Sequence, residues 1–584
     1  MKPTSCLSLL ALAALSSACH NDNSTSPPAA PCTTTTPVAL GELQGTVVSL
    51  SSGAECASFV ADGGKYLIVP QFVTAAANPV PVTYEVGAQI GSAAASRVTE
   101  ATLLRSMGLR PSLPLKESQL QLDRRMRAAE HRFAQMARAG GGPPRVEAEI
   151  RAQVVPDSGS QRIFQVLSNA LSSGAATYAS DTATLKYVGK NILIYQSNDA
   201  LPPPNGFTDA QIGAFGHTFD IDLYAIDTAT FGPPTDIDDN GHIIVLLTPV
   251  INASTPRSVC ATSGYIAGFF YALDLLQGQP HSNNGEMFYS LVPDPNGQFS
   301  CAHTVSDVGA ATPSTFIHEF QHMISFGQHV LIHGGNEEDP WLNEGLSHTA
   351  EELGSRYYEH KFPPPTGRTD PNQLFPDSAE PFIAGDLSNS YNYLSNTTAT
   401  GSDSASVSDW GGDGTLVQRG AVWLFLRWLG DQQDSTVYGR LDQTNLTGVP
   451  NLQAASGIDF PTLFQSFSLA LYTDSLVGVD RGSVPPTDRY YSRNFRQIYA
   501  RLNAVAPSTF PSPFPLGLKV LSPPTTTAGT MYPGTEDFFV MQVPSSGDSV
   551  KIHFSGPSGA ALSSDLGAQV SIFRCPSAPS SACQ

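Results

Sequence analysis

The sequence predicts a multidomain chain in which a central α+β domain is flanked by small β-rich domains at both ends. Its 584 residues are enough for about three or four domains. From residue 150 strand-like runs alternate with helical stretches, and apolar helices follow, which indicates one α+β domain over 150–515. Short alternating strands separated by turn residues occupy 40–98 and 516–584. We expect two separate β-rich domains there, the second resembling a β-sandwich.

The first forty residues carry the pattern of an exported protein. Lys2 precedes a short apolar run, and small residues precede Cys19, which predicts a signal peptide over 1–18 and a possible lipid anchor at that cysteine. The apolar run is too short to span a membrane. Residues 19–39 are rich in Ser, Thr, Pro and Ala and predict a disordered tether. We expect a cell-surface or outer-membrane lipoprotein, or a secreted protein, with no membrane contact beyond that anchor.

The charge of the chain excludes some classes of partner. There are 31 Lys and Arg against 51 Asp and Glu, so the formal net charge is −20 at pH 7. An acidic surface repels phosphate backbones and anionic lipids, and we therefore expect no nucleic-acid partner. Nothing in the sequence indicates the oligomeric state.

The cysteine content agrees with export. Cys6 lies in the predicted signal peptide and Cys19 follows it, which leaves six cysteines. An even number of cysteines in an exported protein predicts disulfide bonds, and six cysteines allow fifteen pairings. Pairing each cysteine with its nearest neighbour along the chain gives Cys32–Cys56, Cys260–Cys301 and Cys575–Cys583.

Residues 99–149 form a basic segment between the first β-rich domain and the α+β domain. The run ESQLQLDRRMRAAEHRFAQMARA predicts a helix, and the GGGPP sequence at 140–144 ends it. Two interpretations remain open. The segment is a connecting helix with a Gly-Pro linker, or it is the junction of a prosegment, exposed to proteolysis beside a flexible hinge.

The stretch 312–352 carries the chemistry. Thr312 as N-cap, Pro313 at the first helical position and Gly327 at the end predict one helix. Inside it, His318 and His322 are four residues apart and share a face of the helix, so both imidazoles can bind one zinc ion.

Two glutamates complete the predicted site. Glu319 lies one residue off the histidine face, where it can reach a metal-bound water and act as general base without being a ligand. Catalytic zinc needs three protein ligands and one open position. Glu344 comes 22 residues after His322, in the sequence WLNEGLS on a second predicted helix, and is the candidate third ligand.

The segments HEFQHMI and WLNEGLS resemble the gluzincin metallopeptidases, and more closely the hyicolysin family of secreted bacterial neutral metallopeptidases. The similarity extends over much of residues 150–475 and includes the runs at 183–201, 235–252, 264–270 and 420–429. The resemblance implies a gluzincin fold with thermolysin-like active-site helices, one catalytic zinc ion, and a protein or peptide substrate cleaved as by an endopeptidase. It also implies that the strand preceding the zinc helix, within 285–295, receives an extended substrate.

The chain departs from related patterns around the zinc ligands. Thermolysin-like enzymes have an aspartate four residues after the glutamate ligand, where this chain has His348. Ser347, His348 and Glu351, and also Glu352, are therefore candidates to orient a zinc histidine.

The transition-state stabiliser is a second departure. The tyrosine that fills this role in aminopeptidases aligns here with Val417. Tyr391, Tyr393 and His303 are the remaining candidates.

Two other functions stay open. WLNEG also resembles aminopeptidase-like gluzincins, although their G-A-M-E-N motif is absent. A surface-binding lipoprotein with an inactive peptidase scaffold is the other alternative, and the intact Glu319 argues against it.

The run Asp236-Ile-Asp238-Asp-Asn240-Gly241 resembles the start of a calcium loop. Leu247 occupies its twelfth position, where a glutamate would close the loop. We therefore favour a turn before a strand over a Ca²⁺ site.

Overall fold

The computed structural model describes residues 33–34, 37–50, 55–74, 80–91, 96–97, 117–140, 155–370, 373–396, 406–408, 414–579 and 582–583. The predicted signal peptide, the possible lipid anchor Cys19 and most of the predicted tether lie outside these residues. Within the described ranges, no helix is long and apolar enough to cross a membrane.

The strands of the described residues form three sheets. In chain order they are β1 (Thr33–Thr34), β2 (Gly45–Ser49), β3 (Glu55–Val60), β4 (Lys65–Phe72), β5 (Val82–Ile90), β6 (Ser96–Arg97), β7 (Gln161–Leu167), β8 (Tyr178–Val188), β9 (Ile192–Ser197), β10 (Ile243–Leu247), β11 (Gly268–Phe270), β12 (Met287–Ser290), β13 (Lys519–Val520), β14 (Thr525–Met531), β15 (Thr535–Glu536), β16 (Phe539–Gln542), β17 (Ser549–Ser555) and β18 (Ala568–Arg574).

The helices are concentrated between residues 209 and 505. In chain order they are α1 (Glu117–Ala139), α2 (Asp209–Thr218), α3 (Tyr224–Thr230), α4 (Pro249–Ala253), α5 (Arg257–Ser263), α6 (Val305–Phe326), α7 (Pro340–Lys361), α8 (Glu380–Asn396), α9 (Leu416–Gln433), α10 (Thr436–Asp442), α11 (Gly448–Ser456), α12 (Phe460–Thr473) and α13 (Phe495–Val505). A π-helical turn, Gly327–Ile332, continues α6.

The strands from the two ends of the chain build one β-sandwich. One sheet has the order β1-β3-β17-β5-β14-β6, and the other has the order β13-β16-β4-β18-β2 with β15 beside β4. The C-terminal strand β17 is thus hydrogen-bonded between β3 and β5, and β18 between β4 and β2. The structure therefore differs from the expectation of two separate terminal domains. Alternation of apolar residues predicts strands, but it does not show which strands pair.

One sheet of the sandwich also packs on the helices. Ile68 and Phe72 of β4 belong to the sandwich core, whereas Leu67 and Val69 belong to the large core of the helical region. Residues that alternate along a strand point to opposite faces of the sheet. Because both faces of β4 are covered, its sequence is a nearly continuous apolar run.

The central sheet has the order β11-β12-β10-β9-β8-β7. Strands β9, β10 and β12 are parallel, and β11 pairs antiparallel to β12 at one edge. The strand expected within 285–295 is β12, but it lies inside the sheet because β11 covers it. The edge strand beside α6 is β11, in the run 264–270, for which the sequence predicts no contact with substrate.

Helix α6 begins earlier than predicted. The side chain of Thr304 accepts a hydrogen bond from the backbone N–H of Asp307 at 3.1 Å and caps the helix there. Pro313 therefore lies inside the helix, where it leaves one backbone bond unmade. Gly327 ends the regular α-helix but has right-handed geometry, and the chain continues into the π-helical turn.

Two of the predicted disulfide bonds are present, Cys260–Cys301 and Cys575–Cys583. The first joins α5 to the segment that enters α6. The third predicted pair includes Cys32, which lies outside the described residues.

Candidate metal centre

Helices α6 and α7 bring the three predicted ligands together. The Nε2 atoms of His318 and His322 are 3.1 Å apart. The carboxylate of Glu344 lies 3.8 Å from each of them. Zinc bonds of about 2.0–2.1 Å in tetrahedral geometry separate ligand atoms by about 3.3 Å. The three side chains thus converge at nearly the spacing that a single zinc ion requires.

One of the converging atoms, Glu344 Oε1, has no hydrogen-bond partner among the described residues. Glu344 is 1% exposed, so this oxygen atom is buried. The Arg127 Nε lies 3.7 Å from that atom. A buried, unbonded carboxylate oxygen is costly, and so is a pair of imidazole nitrogens that face each other. A cation bound between the three side chains would satisfy all of these atoms, so the residues fit zinc.

The Nδ1 atoms of both histidines are held by neighbouring side chains. His318 Nδ1 lies 2.7 Å from Glu351 Oε1, and His322 Nδ1 lies 2.6 Å from Asn343 Oδ1. Ser347 Oγ is also 2.9 Å from His322 Nδ1. An acceptor at Nδ1 fixes the ring tautomer with Nε2 available to a metal. The sequence predicts this role for Glu351 and Ser347 but carries no signal for Asn343 beyond its place next to Glu344.

His348 extends this network away from the cluster. Its Nδ1 is 3.1 Å from Glu351 and 2.9 Å from Asp386 on α8. Burial opposes the charged form, but the charges of Asp386 and Glu351 outweigh it and raise the pKa of His348 to about 10. The imidazolium in turn holds the pKa of Glu351 well below its usual range, against the effect of burial. Glu352 is on another face of α7, paired with Arg427 and Arg493.

Glu319 is a residue of α6, and its side chain points towards the edge strand β11. Its Oε2 accepts a hydrogen bond of 2.7 Å from the backbone N–H of Phe270. Burial raises the pKa of Glu319 to about 7, and the charge of His318 partly offsets this. A carboxyl group with a pKa near neutrality can both accept and return a proton.

The close contact between β11 and α6 requires a glycine. A Cβ atom at Gly268 would lie 2.6 Å from the Thr315 side chain and 2.6 Å from the Tyr289 carbonyl. The glycine therefore allows the edge strand to approach Glu319.

Arg419 and Arg127 both contact the candidate ligand Glu344, and no pattern in the sequence predicts either contact. Arg419 Nη1 on α9 lies 2.5 Å from Glu344 Oε2, and Arg127 comes from α1. Burial alone would raise the pKa of Glu344, but Arg419 and Arg127 lower it. The only sequence signal for Arg419 is that it interrupts an apolar helix.

Helix α1 covers this cluster and the edge strand. Arg127 Nη1 is 3.1 Å from His322 Nδ1. Asp123 pairs with Arg419 at 2.9 Å. The side chain of Gln119 accepts from the Ala267 N–H at 2.8 Å and donates to the Gly268 carbonyl at 3.1 Å. Helix α1, the described part of the segment expected to be a linker or a prosegment junction, thus contacts both the ligand cluster and the chain at β11.

The three candidates for the transition-state stabiliser have their polar contacts elsewhere. The hydroxyl of Tyr391 bonds the backbone of Ser512, and that of Tyr393 donates to Glu536 at 2.7 Å. The ring of His303 lies against Tyr265, beside the Cys260–Cys301 disulfide. The structure does not bring these side chains into the cluster.

Comparison with known proteins yields a partial match. Over 177 residues, or 29% of this chain, the sequence is 29% identical to the neutral metalloprotease ShpI of Staphylococcus hyicus. The matched stretch spans 36% of the length of that relative. No family model matches the chain. Part of the chain is therefore similar to a metalloprotease.

Proposed function

We propose that this protein is an exported zinc metallopeptidase that hydrolyses peptide bonds of proteins as an endopeptidase. The observation that carries the proposal is the convergence of His318, His322 and Glu344, with Glu344 Oε1 buried and without a hydrogen-bond donor among the described residues. Glu319 lies beside this cluster on the same helix as the two histidines. The partial similarity to a neutral metalloprotease supports the same reaction class. The disulfides within the described residues agree with export to an oxidising compartment.

The chain's own residues have distinct parts in this reaction. Zinc bound by His318, His322 and Glu344 would polarise the scissile carbonyl and lower the pKa of a water towards about 7. Glu319 takes the proton of the attacking water and later gives it to the leaving amine. The backbone of β11, next to Glu319, can align an extended substrate by adding a strand at the sheet edge.

In this proposal α1 holds the peptidase in a latent form. Gln119 already bonds the backbone of β11 as a substrate strand would, and Arg127 places a positive charge against His322 and Glu344. A substrate cannot reach the edge strand while α1 is seated. We therefore interpret the segment 99–149 as an inhibitory prosegment rather than a passive linker.

The test uses the purified full chain and its Glu319→Gln variant, each before and after limited trypsin treatment, with a denatured protein as substrate. Mass spectrometry of the products should show internal cuts by the trimmed, zinc-loaded wild type and none by Glu319→Gln. Stepwise loss of N-terminal residues would indicate an aminopeptidase instead. No cleavage by any zinc-loaded sample would refute the peptidase and favour a binding protein.

The inhibitory role of α1 has a separate readout. Arg127→Ala in the uncut chain should raise cleavage, because it removes the charge that lies against the metal ligands. Arg132→Ala is the matched control, since Arg132 is exposed on the same helix. If Arg127→Ala lowers cleavage by the uncut chain instead of raising it, α1 belongs to the working site and the latency proposal fails.

A further inference from the structure

We infer that the chain has a second metal site, a Ca²⁺ site formed by the loop 236–242 together with Glu286. This site is separate from the zinc cluster, and the inference does not depend on the proposed peptidase activity. Carboxylate oxygens of Asp236, Asp238 and Glu286 lie within 4.8 Å of one another.

The loop has the backbone of a calcium-binding turn. Asp236, Asp238 and Asn240 occupy its first, third and fifth positions, which supply oxygen ligands in EF-hand loops. Gly241 follows at the sixth position with φ +67°, the left-handed conformation that the sharp turn of such loops needs. The carboxylate of Asp236 accepts hydrogen bonds from the backbone N–H groups of Asn240 and Gly241. These bonds close the loop into a tight turn around that carboxylate.

Glu286 supplies the glutamate ligand that the sequence of the loop itself lacks. An EF-hand closes with a glutamate at its twelfth position, where this chain has Leu247. Glu286 is distant in sequence but directly precedes β12, which pairs with β10, and β10 is the strand that the loop enters. The fold therefore brings a glutamate to the loop from the neighbouring strand.

The glutamate has an oxygen atom free for a ligand. Glu286 is 1% exposed, and its Oε1 accepts from the Thr235 hydroxyl at 2.7 Å and from the Ile237 N–H at 2.9 Å. Its Oε2 is buried and has no hydrogen-bond partner among the described residues. A buried carboxylate oxygen without a donor needs either a proton or a cation.

The electrostatics of the cluster favour the binding of a cation. Burial raises the pKa of Glu286 to about 7, and the charge of Asp238 adds to this effect. Burial likewise raises the pKa of Asp238 to about 6, with a contribution from Asp236. A divalent cation would neutralise these carboxylates, so that all three can ionise together.

The chemistry of the donors favours calcium over zinc. The side-chain donors are three carboxylates and one amide oxygen, without histidine or cysteine. Ca²⁺ prefers six to eight such oxygens, whereas zinc prefers nitrogen and sulfur. Occupancy would tie the loop to the start of β12. It would also support the end of α6, because Thr235 bonds Glu286 and its side chain lies beside Gly327, where the regular helix ends.

The experiment measures Ca²⁺ binding directly, in the zinc-loaded Glu319→Gln chain so that self-cleavage cannot interfere. Isothermal titration with CaCl₂ should show one site with a Kd of about 0.1–1 mM, the range of extracellular modules. Saturating CaCl₂ should raise the unfolding midpoint by at least about 2 °C, beyond the effect of MgCl₂ at equal ionic strength.

Substitutions identify the site. Glu286→Gln keeps the size of the side chain and its acceptor for Thr235, and it should abolish the calcium-dependent shift. Asp238→Asn is a second variant and should weaken binding at least tenfold. Asp239→Asn makes the same charge change at the exposed fourth position of the loop and should bind as the parent does. Absence of binding in the parent, or equal binding by Glu286→Gln, would overturn the proposal.

Discussion

At the scale of single residues, the geometry of the candidate centre depends on groups behind the ligands. Asn343 and Glu351 each contact a histidine Nδ1, so that both Nε2 atoms face Glu344. The spacing of the motif predicts His318, His322 and Glu319 from the sequence alone, because a helix places them by its own period. Asn343, Arg419 and Arg127 carry no such signal. Their roles arise from contacts between α1, α6, α7 and α9 that no local pattern encodes.

Asn343 is a positioning residue, and its substitution should lower the affinity of the site for zinc. Asn343→Ala removes the nearer of the two side-chain oxygens at His322 Nδ1, and we expect zinc affinity to fall about 10–100-fold. Competition with a chromophoric chelator measures this affinity. Asn205→Ala, at an exposed position, is the control. Unchanged zinc affinity in Asn343→Ala would show that the hydrogen bond does not orient the ligand.

At the scale of elements, the site depends on how closely α7 packs on α9. Gly345 follows the candidate ligand Glu344, and a Cβ atom there would lie 2.7 Å from the Val422 side chain and 2.8 Å from that of Leu426. The apolar periodicity of α7 and α9 predicts two helices, and both are present. Their separation is set by this glycine, which local sequence patterns do not reveal.

Gly345→Ala should therefore lower both stability and zinc affinity. Overpacking of a close helix contact costs about 1–3 kcal/mol, and the shift of α7 moves Glu344. Gly213→Ala on α2 is the matched control, because its Cβ would meet no atom closer than 4.0 Å. That substitution should stabilise by about 0.5–1 kcal/mol. Urea unfolding and zinc titration of both variants make the comparison, and equal stability of the two would contradict this account of the packing.

At the scale of the whole molecule, both ends of the chain meet in one sandwich. The alternating runs within 40–98 and 516–584 predict strands, and the structure has strands in both ranges. It also pairs β17 with β3 and β5, which are distant from it in the sequence. Periodicity is equally compatible with two independent domains. The observed topology implies that the N-terminal strands need the C-terminal ones in order to fold.

Hydrogen exchange tests this interdependence. Ile552 on β17 is fully buried and lies opposite Ala57 of β3 and Ala88 of β5. Ile552→Ala should cost about 2–5 kcal/mol and reduce amide protection in β3 and β5 as well as in β17. Lys551→Ala, on the other face of the same strand, should have little effect. Loss of protection confined to β17 would mean that the N-terminal strands are stable by themselves.

In the proposed mechanism His318, His322 and Glu344 bind zinc, and Glu319 transfers the proton of the attacking water. The most direct test measures zinc content and protein cleavage together, in trimmed wild type, Glu319→Gln and Glu344→Ala. We predict one zinc ion per chain and cleavage for the wild type. Glu319→Gln should retain the zinc but lose most of its turnover, and Glu344→Ala should lose the zinc itself. Full cleavage by Glu319→Gln, or a wild type that binds no zinc, would contradict the account.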